Sequence, residues 1–199
     1  MARRNQHSRE ELQTLAIQAV RDLVSENGLE KLSVRKVADR IGYTAGMLYH
    51  VFANLDDLIL QANADTLEQL LSAMTEREDV SPRERLDQMA RVYVSMARDQ
   101  TALWKMVFLH QMQNQAQVPE WYLQKTAALF SQVEACMASL AERQTAGQIH
   151  LAARTLWGSV HGIAVLAADD KLVVAGDVDE QAMLDSLLQH YLSSWAGEK

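Results

Sequence analysis

The 199 residues are 48% hydrophobic and 23% charged with a net charge of −7, an ordinary balance for a globular protein of one large or two small domains. A single cysteine, Cys136, excludes an intramolecular disulfide, and no CxxC or Cys/His spacing offers a metal site. Two prolines and eight glycines are too few for a sheet-rich fold with many tight turns. No signal-like start and no apolar run long enough to cross a bilayer is evident, so no membrane association and a cytoplasmic location are expected.

In chain order, Met1 to His7 is a polar arm carrying Arg3 and Arg4. Ser8-Arg9-Glu10-Glu11 has the Ser-x-x-Glu form of a capping box, and Leu12, Leu15, Ala16, Ala19, Leu23 and Val24 follow at helical spacing until Asn27-Gly28. A second helix starts on Ser33, with Val34, Val37, Ala38 and Ile41 on one face, and stops at Gly42. Thr44 is placed to cap a very short third helix. That helix turns Leu48 and Phe52 inward and leaves Ala45, Gly46, Tyr49 and His50 toward solvent or a groove. This is the layout of a helix-turn-helix, whose small residues at the front end allow close approach to phosphates and base edges. Through Phe52 there are eight Arg/Lys against six Asp/Glu, a balance of +2, while the remainder carries −9. Basic charge is therefore concentrated where phosphates would be met.

A fourth helix is expected from Asn54 to about Arg77, and Ser81-Pro82-Arg83-Glu84 restarts the chain as a fifth. Ala102 to Met112 is apolar nearly all round, the pattern of a helix buried on most sides. Val118-Pro119 opens another helix. Gln148–Ala168 and Asp179–Ala196 supply two more, joined by a loop over 169–178. The stripes of the last two helices are wider than one subunit needs, with Gly158 and Gly162 four residues apart. They read as half of a four-helix interface between two copies. The fold class is all-α with about nine helices: a three-helix N-terminal domain over residues 1–53 and a larger helical domain over 54–199.

The stretch from about Leu15 to Leu58 resembles the N-terminal domain of TetR-family regulators. It shares the small-residue turn after Gly42, then Leu48-Tyr49, the aromatic Phe52, and Asp56-Asp57-Leu58 opening the next helix. Two positions depart from the family pattern. Leu55 stands where many members carry a phosphate-binding Lys, and Val51 where an aromatic is common. Trp157-Gly158-Ser159-Val160-His161-Gly162 is similar to the Trp-x-x-x-His-Gly signature of one C-terminal subgroup. The resemblance implies a repressor that binds operator DNA as a homodimer through its two C-terminal helices and is released by a small hydrophobic effector. DNA contacts carry over to Ser33, Arg35, Lys36, Thr44, Ala45, Gly46, Tyr49 and His50. The effector region maps to Trp104, Phe108, Met112, Trp121, Trp157 and His161.

No catalytic set is legible and no cofactor is expected. The six histidines lack HxxxH or HExxH spacing, and there is no GxSxG, phosphate loop or dinucleotide fingerprint. The chain is therefore not expected to be an enzyme. A helical protein-interaction adaptor that uses its N-terminal helices only for packing is the alternative.

Overall fold

A computed structural model describes residues 7–76, 80–112, 117–141, 143–176 and 178–197. Among them are nine α-helices and no strand: α1 (Arg9–Asn27), α2 (Val34–Ile41), α3 (Ala45–Leu48), α4 (Leu55–Thr75), α5 (Pro82–Asp99), α6 (Thr101–Leu109), α7 (Glu120–Leu140), α8 (Ala146–Ala168) and α9 (Glu180–Ala196). Arg3, Arg4 and the expected end of the fourth helix at Arg77 lie outside the described residues.

Most helix starts follow from side-chain caps that satisfy otherwise orphaned amides. Ser8 with Glu11 and Ser81 with Glu84 form the two expected capping boxes. Thr145 with Gln148 forms a third, which starts α8 at Ala146, two residues before the expected point. At α4, Asn54 Oδ1 accepts from the Asp57 amide at 2.8 Å, and the Asp57 carboxylate accepts from the Ala53 amide at 2.9 Å. The connection over 169–178 is more ordered than a plain loop, because Leu172–Ala175 winds into a 3₁₀ turn. Helix α6 is shorter than its apolar run and ends at Leu109. It is also not buried on most sides: Phe108 and Leu109 are exposed while Leu103, Trp104 and Met106 are buried.

The described residues form two compact units. The first comprises those of Met1–Thr66 and Ala102–Tyr122. Its core gathers Val20 and Val24 of α1, Val37 of α2, Leu48 of α3, Leu58 of α4 and Met106 of α6. A buried cation crosses this unit. Arg21 of α1 pairs with Asp65 at 2.9 Å and donates to Thr66 Oγ1 at 2.8 Å. His110, just past α6, meets Asp56 in the first turn of α4 at 3.3 Å. Burial lowers the pKa of His110, partly offset by that carboxylate.

The second unit comprises Leu67–Thr101 and Leu123–Lys199 and is built on α5, α8 and α9. Helix α9 is tied down at two points: Tyr191 Oη donates to the Ala152 carbonyl and Trp195 Nε1 to the Met137 carbonyl, both at 2.9 Å. Arg91 of α5 holds Asp87 at 2.8 Å and reaches Asp185 of α9, while Arg98 reaches Glu180. Helix α8 is long and apolar enough, by length and composition, to cross a membrane, which its sequence had not indicated. One apolar face packs within the unit, with Ala153, Leu156, Val160 and Ala164 buried and α5 and α9 as its neighbours, while Leu151 and Val165 stay exposed.

Candidate functional site

Two places in the molecule gather candidate site residues, one in each unit. In the first, α2 and α3 meet at a tight turn. Ser33 Oγ accepts from the Lys36 amide at 3.3 Å and sets the start of α2. Gly42 ends it with φ 74 and ψ 28, a left-handed conformation that any Cβ would strain. The Tyr43 amide donates to Ala38 O at 2.9 Å and the Gly42 amide to Asp39 O at 3.3 Å, the paired bonds of a Schellman stop. Thr44 Oγ1 then accepts from the Met47 amide at 3.4 Å and starts α3.

Helix α3 is only Ala45–Leu48, so Tyr49 and His50 lie in the turn that follows it rather than on the helix itself. Leu48 and Phe52 are buried, which points the remaining side chains outward. Tyr49 is 56% exposed, Gly46 and His50 are exposed, and Ala45 is half-buried. The Arg35 side chain is 89% exposed and its ion pair with Asp39 is a loose 4.0 Å. Lys36 bends back to donate to the Lys31 carbonyl at 2.7 Å. Arg40, by contrast, is held by both Glu26 oxygens at 3.0 and 2.6 Å. Arg21 is buried against Asp65. Two of the basic side chains counted in the sequence, Arg21 and Arg40 among the described residues, are therefore neutralised within the fold. Among the described residues, Arg35 is the cation most openly presented beside α3.

In the second unit, a cavity of about 50 Å³ lies among Leu86, Met89 and Tyr93 of α5, Val133 of α7, and Trp157 and Val160 of α8. Its lining is almost wholly apolar. Tyr93 Oη lies 2.7 Å from His161 Nδ1, and the His161 ring sits 5.2 Å from that of Trp157. Phe130 meets the Trp157 indole edge-on at 5.5 Å, and the Arg154 guanidinium covers the other ring at 4.2 Å. Burial pushes the His161 imidazole below its ordinary value of 6.5.

Two family models match this chain. "Bacterial regulatory proteins, tetR family" covers residues 16–62, and "Tetracyclin repressor-like, C-terminal domain" covers residues 86–191. The chain belongs to the TetR family. No protein of curated function matches the sequence.

Solved structures of TetR type share the fold along nearly the whole chain. A protein of unknown function from Rhodococcus sp. RHA1 aligns with a TM-score of 0.77 at 17% identity, covering 96% of this chain and 97% of its own. A tetR-family transcriptional regulator from Streptomyces coelicolor gives 0.69 at 16% identity, covering 94% and 82%. Thermus thermophilus FadR, a TetR-family transcriptional repressor solved in complex with lauroyl-CoA, gives 0.66 at 15% identity, covering 91% and 93%.

Against this TetR frame, the sequence-derived residues distribute unevenly. Ser33, Arg35, Lys36, Thr44, Ala45, Gly46, Tyr49 and His50 cluster around one turn. Of the six effector candidates, Trp157 lines the cavity and His161 stands against it through Tyr93. The other four belong to the first unit and do not line this cavity. There Trp104 is buried against Phe108 at 5.0 Å, Met112 is half-buried, and Trp121 lies edge-on to Tyr122 at 5.7 Å. Burial pushes the Tyr122 phenol up to about 12. Sequence reasoning passed over Tyr93 as a site residue. It also passed over Tyr43, whose hydroxyl lies 2.7 Å from His7 Nδ1.

The depressed pKa of His161 makes an expected result. An unfolded chain returns the imidazole to about 6.5, so below that pH the unfolded state takes up the proton first. Stability from this site is complete above about pH 7 and falls as pH drops through 6.5 toward the lower folded value. Thermal midpoints measured between pH 7.5 and 5.5 will decline in the wild type, and less steeply in His161→Gln. Equal slopes would show that His161 titrates normally in the folded protein.

Proposed function

We propose that this protein is a ligand-responsive transcriptional repressor that acts in the cytoplasm as a homodimer on operator DNA. The observation that carries the reading is the turn at Gly42. It braces a one-turn helix on buried Leu48 and Phe52 and leaves Gly46, Tyr49, His50 and Arg35 outward, an arrangement that packing alone does not need. Residues 1–53 form the DNA-binding domain and 54–199 the effector-binding and dimerising domain. Arg35, Tyr49 and His50, with Lys36 and the Ser33 and Thr44 hydroxyls, contact phosphates or base edges. Ala45 and Gly46 admit the backbone close to the groove.

Dimerisation is supported by the outer face of α8. Leu151, Thr155, Gly158, Gly162 and Val165 recur at helical spacing and are all exposed, with Leu151 at 67%. Beyond the adjoining residues and the helix's own backbone, nothing comes within 4 Å of where a Cβ would stand on either glycine. Such a face accepts a second helix at short range, and with α9 it completes a four-helix interface between copies.

The apolar cavity bordered by Trp157 is the effector site, with the Tyr93–His161 pair as its polar edge. Fatty acyl-CoA in the FadR relative gives a precedent for an apolar guest in this fold. Ligand release of DNA is a population shift, and needs a preference of a few kcal/mol for the non-binding spacing of the two heads. The test is fluorescence anisotropy with labelled duplex from the region upstream of the protein's own gene, as a function of salt. Saturable binding as a dimer that weakens steeply with salt is expected. Binding indistinguishable from that to unrelated duplex of the same length would overturn the reading.

A further inference from the structure

The apolar cavity of the second unit has a charged neighbour, Arg85, with no counter-ion among the described residues. Arg85 precedes Leu86 on α5 and lies one turn before Met89, both of which line the cavity. Its Nη2 donates to Gln132 Oε1 at a long 3.4 Å, and Gln132 precedes the lining residue Val133 on α7. The Arg85 Nε is buried and has no hydrogen-bond partner. Three other arginines of this unit are matched to carboxylates: Arg91 by Asp87 and Asp185, Arg98 by Asp99 and Glu180, Arg154 by Glu134. The Cys136 thiol, which feels the Arg85 charge, is pushed up by burial and stays neutral.

A part-buried guanidinium is tolerated where a carboxylate or other acceptor answers it, and is unfavourable where none does. Its planar fork fits a carboxylate through two parallel N–H bonds. We propose that the effector of this cavity is a compact amphipathic monocarboxylate, its apolar body among Met89, Val133 and Trp157 and its carboxylate on Arg85. The proposal rests on the reading of this cavity as the effector site and names the chemistry it selects. One unmatched positive charge answers one negative charge. A phosphate dianion or a coenzyme A headgroup would bring charges that the arginines already matched to carboxylates do not answer. The cavity is smaller than the roughly 150 Å³ that encloses a benzene ring. A ring or short alkyl chain therefore enters only as Met74 and Met89, flexible side chains on its wall, rearrange.

The test uses the full-length protein and three acids, phenylacetate, octanoate and 1-naphthoate, each against its alcohol, by titration calorimetry at pH 7.5. At least one acid is expected to bind about tenfold or more tightly than its alcohol, the range of a charge-assisted pair. Arg85→Gln should bring that ratio near one without weakening the alcohol, Arg85→Lys should retain part of it, and neither should lower the thermal midpoint. The proposal is overturned if no acid outbinds its alcohol, if Arg85→Gln keeps the ratio, or if that variant melts several degrees lower, which would make the arginine structural. Operator affinity without ligand is measured in parallel. No acid preference in the wild-type protein with DNA binding intact sinks this inference alone, whereas absent DNA binding with the preference intact sinks the repressor reading.

Discussion

Replacing Arg35 and Tyr49 together by alanine will weaken binding to operator duplex by about a hundredfold or more, roughly 2.7 kcal/mol, while the thermal midpoint moves by about a degree at most. The two residues contribute almost nothing to the fold. The Arg35 side chain is 89% exposed with a 4.0 Å ion pair, a surface interaction of about 0–1 kcal/mol. Tyr49 is more than half exposed and follows a helix already anchored by Leu48 and Phe52. On DNA, each lost phosphate contact also lowers the salt slope by about one. Anisotropy titrations at several salt concentrations, with thermal melts on the same samples, measure both effects. An adaptor that used these helices only for packing would show unchanged, weak DNA affinity. Parallel loss of affinity and stability would mean that the pair belongs to the framework.

Leu48→Ala should produce the opposite pattern. Leu48 is 1% exposed in the core of the first unit, and truncation there costs about 2–5 kcal/mol through lost burial and the cavity left behind. Helix α3 is a single turn and has no stability of its own, because a lone turn does not recover the cost of nucleation. Without Leu48 the turn that holds Tyr49 and His50 in place loses its anchor. Urea denaturation followed by circular dichroism will show the loss of stability, and operator binding will fall with it. A variant that binds DNA normally after losing several kcal/mol would show that α3 is positioned by its caps alone.

The helix starts were legible in the sequence because caps are local. Ser8 with Glu11, Ser33, Thr44 and Ser81 with Glu84 each declare themselves within four residues. Thr145 with Gln148 carried the same signal and was passed over in favour of the apolar run that follows it. The end of α6 was not legible, because an apolar run does not reveal which of its faces finds a neighbour. Phe108 and Leu109 are as hydrophobic as Leu103 and Met106, yet only the latter pair reaches a core. Charge was the least transparent. Arg21 and Arg40 look like Arg35 in sequence, but Asp65 and Glu26, distant in the chain, have already claimed them. For the same reason, the buried and unpartnered Nε of Arg85 emerges only once its surroundings in the fold are known.

The brevity of α3 has a consequence for how such a protein diverges. Its shape is dictated by a glycine hinge, the Thr44 cap and two inward apolar anchors, Leu48 and Phe52. The outward positions Gly46, Tyr49 and His50 are thereby released from any duty in folding, and can be exchanged almost freely. If these three positions meet the groove as proposed, a lineage carrying this scaffold retargets to new promoters by altering three codons, with the rest of the gene left untouched.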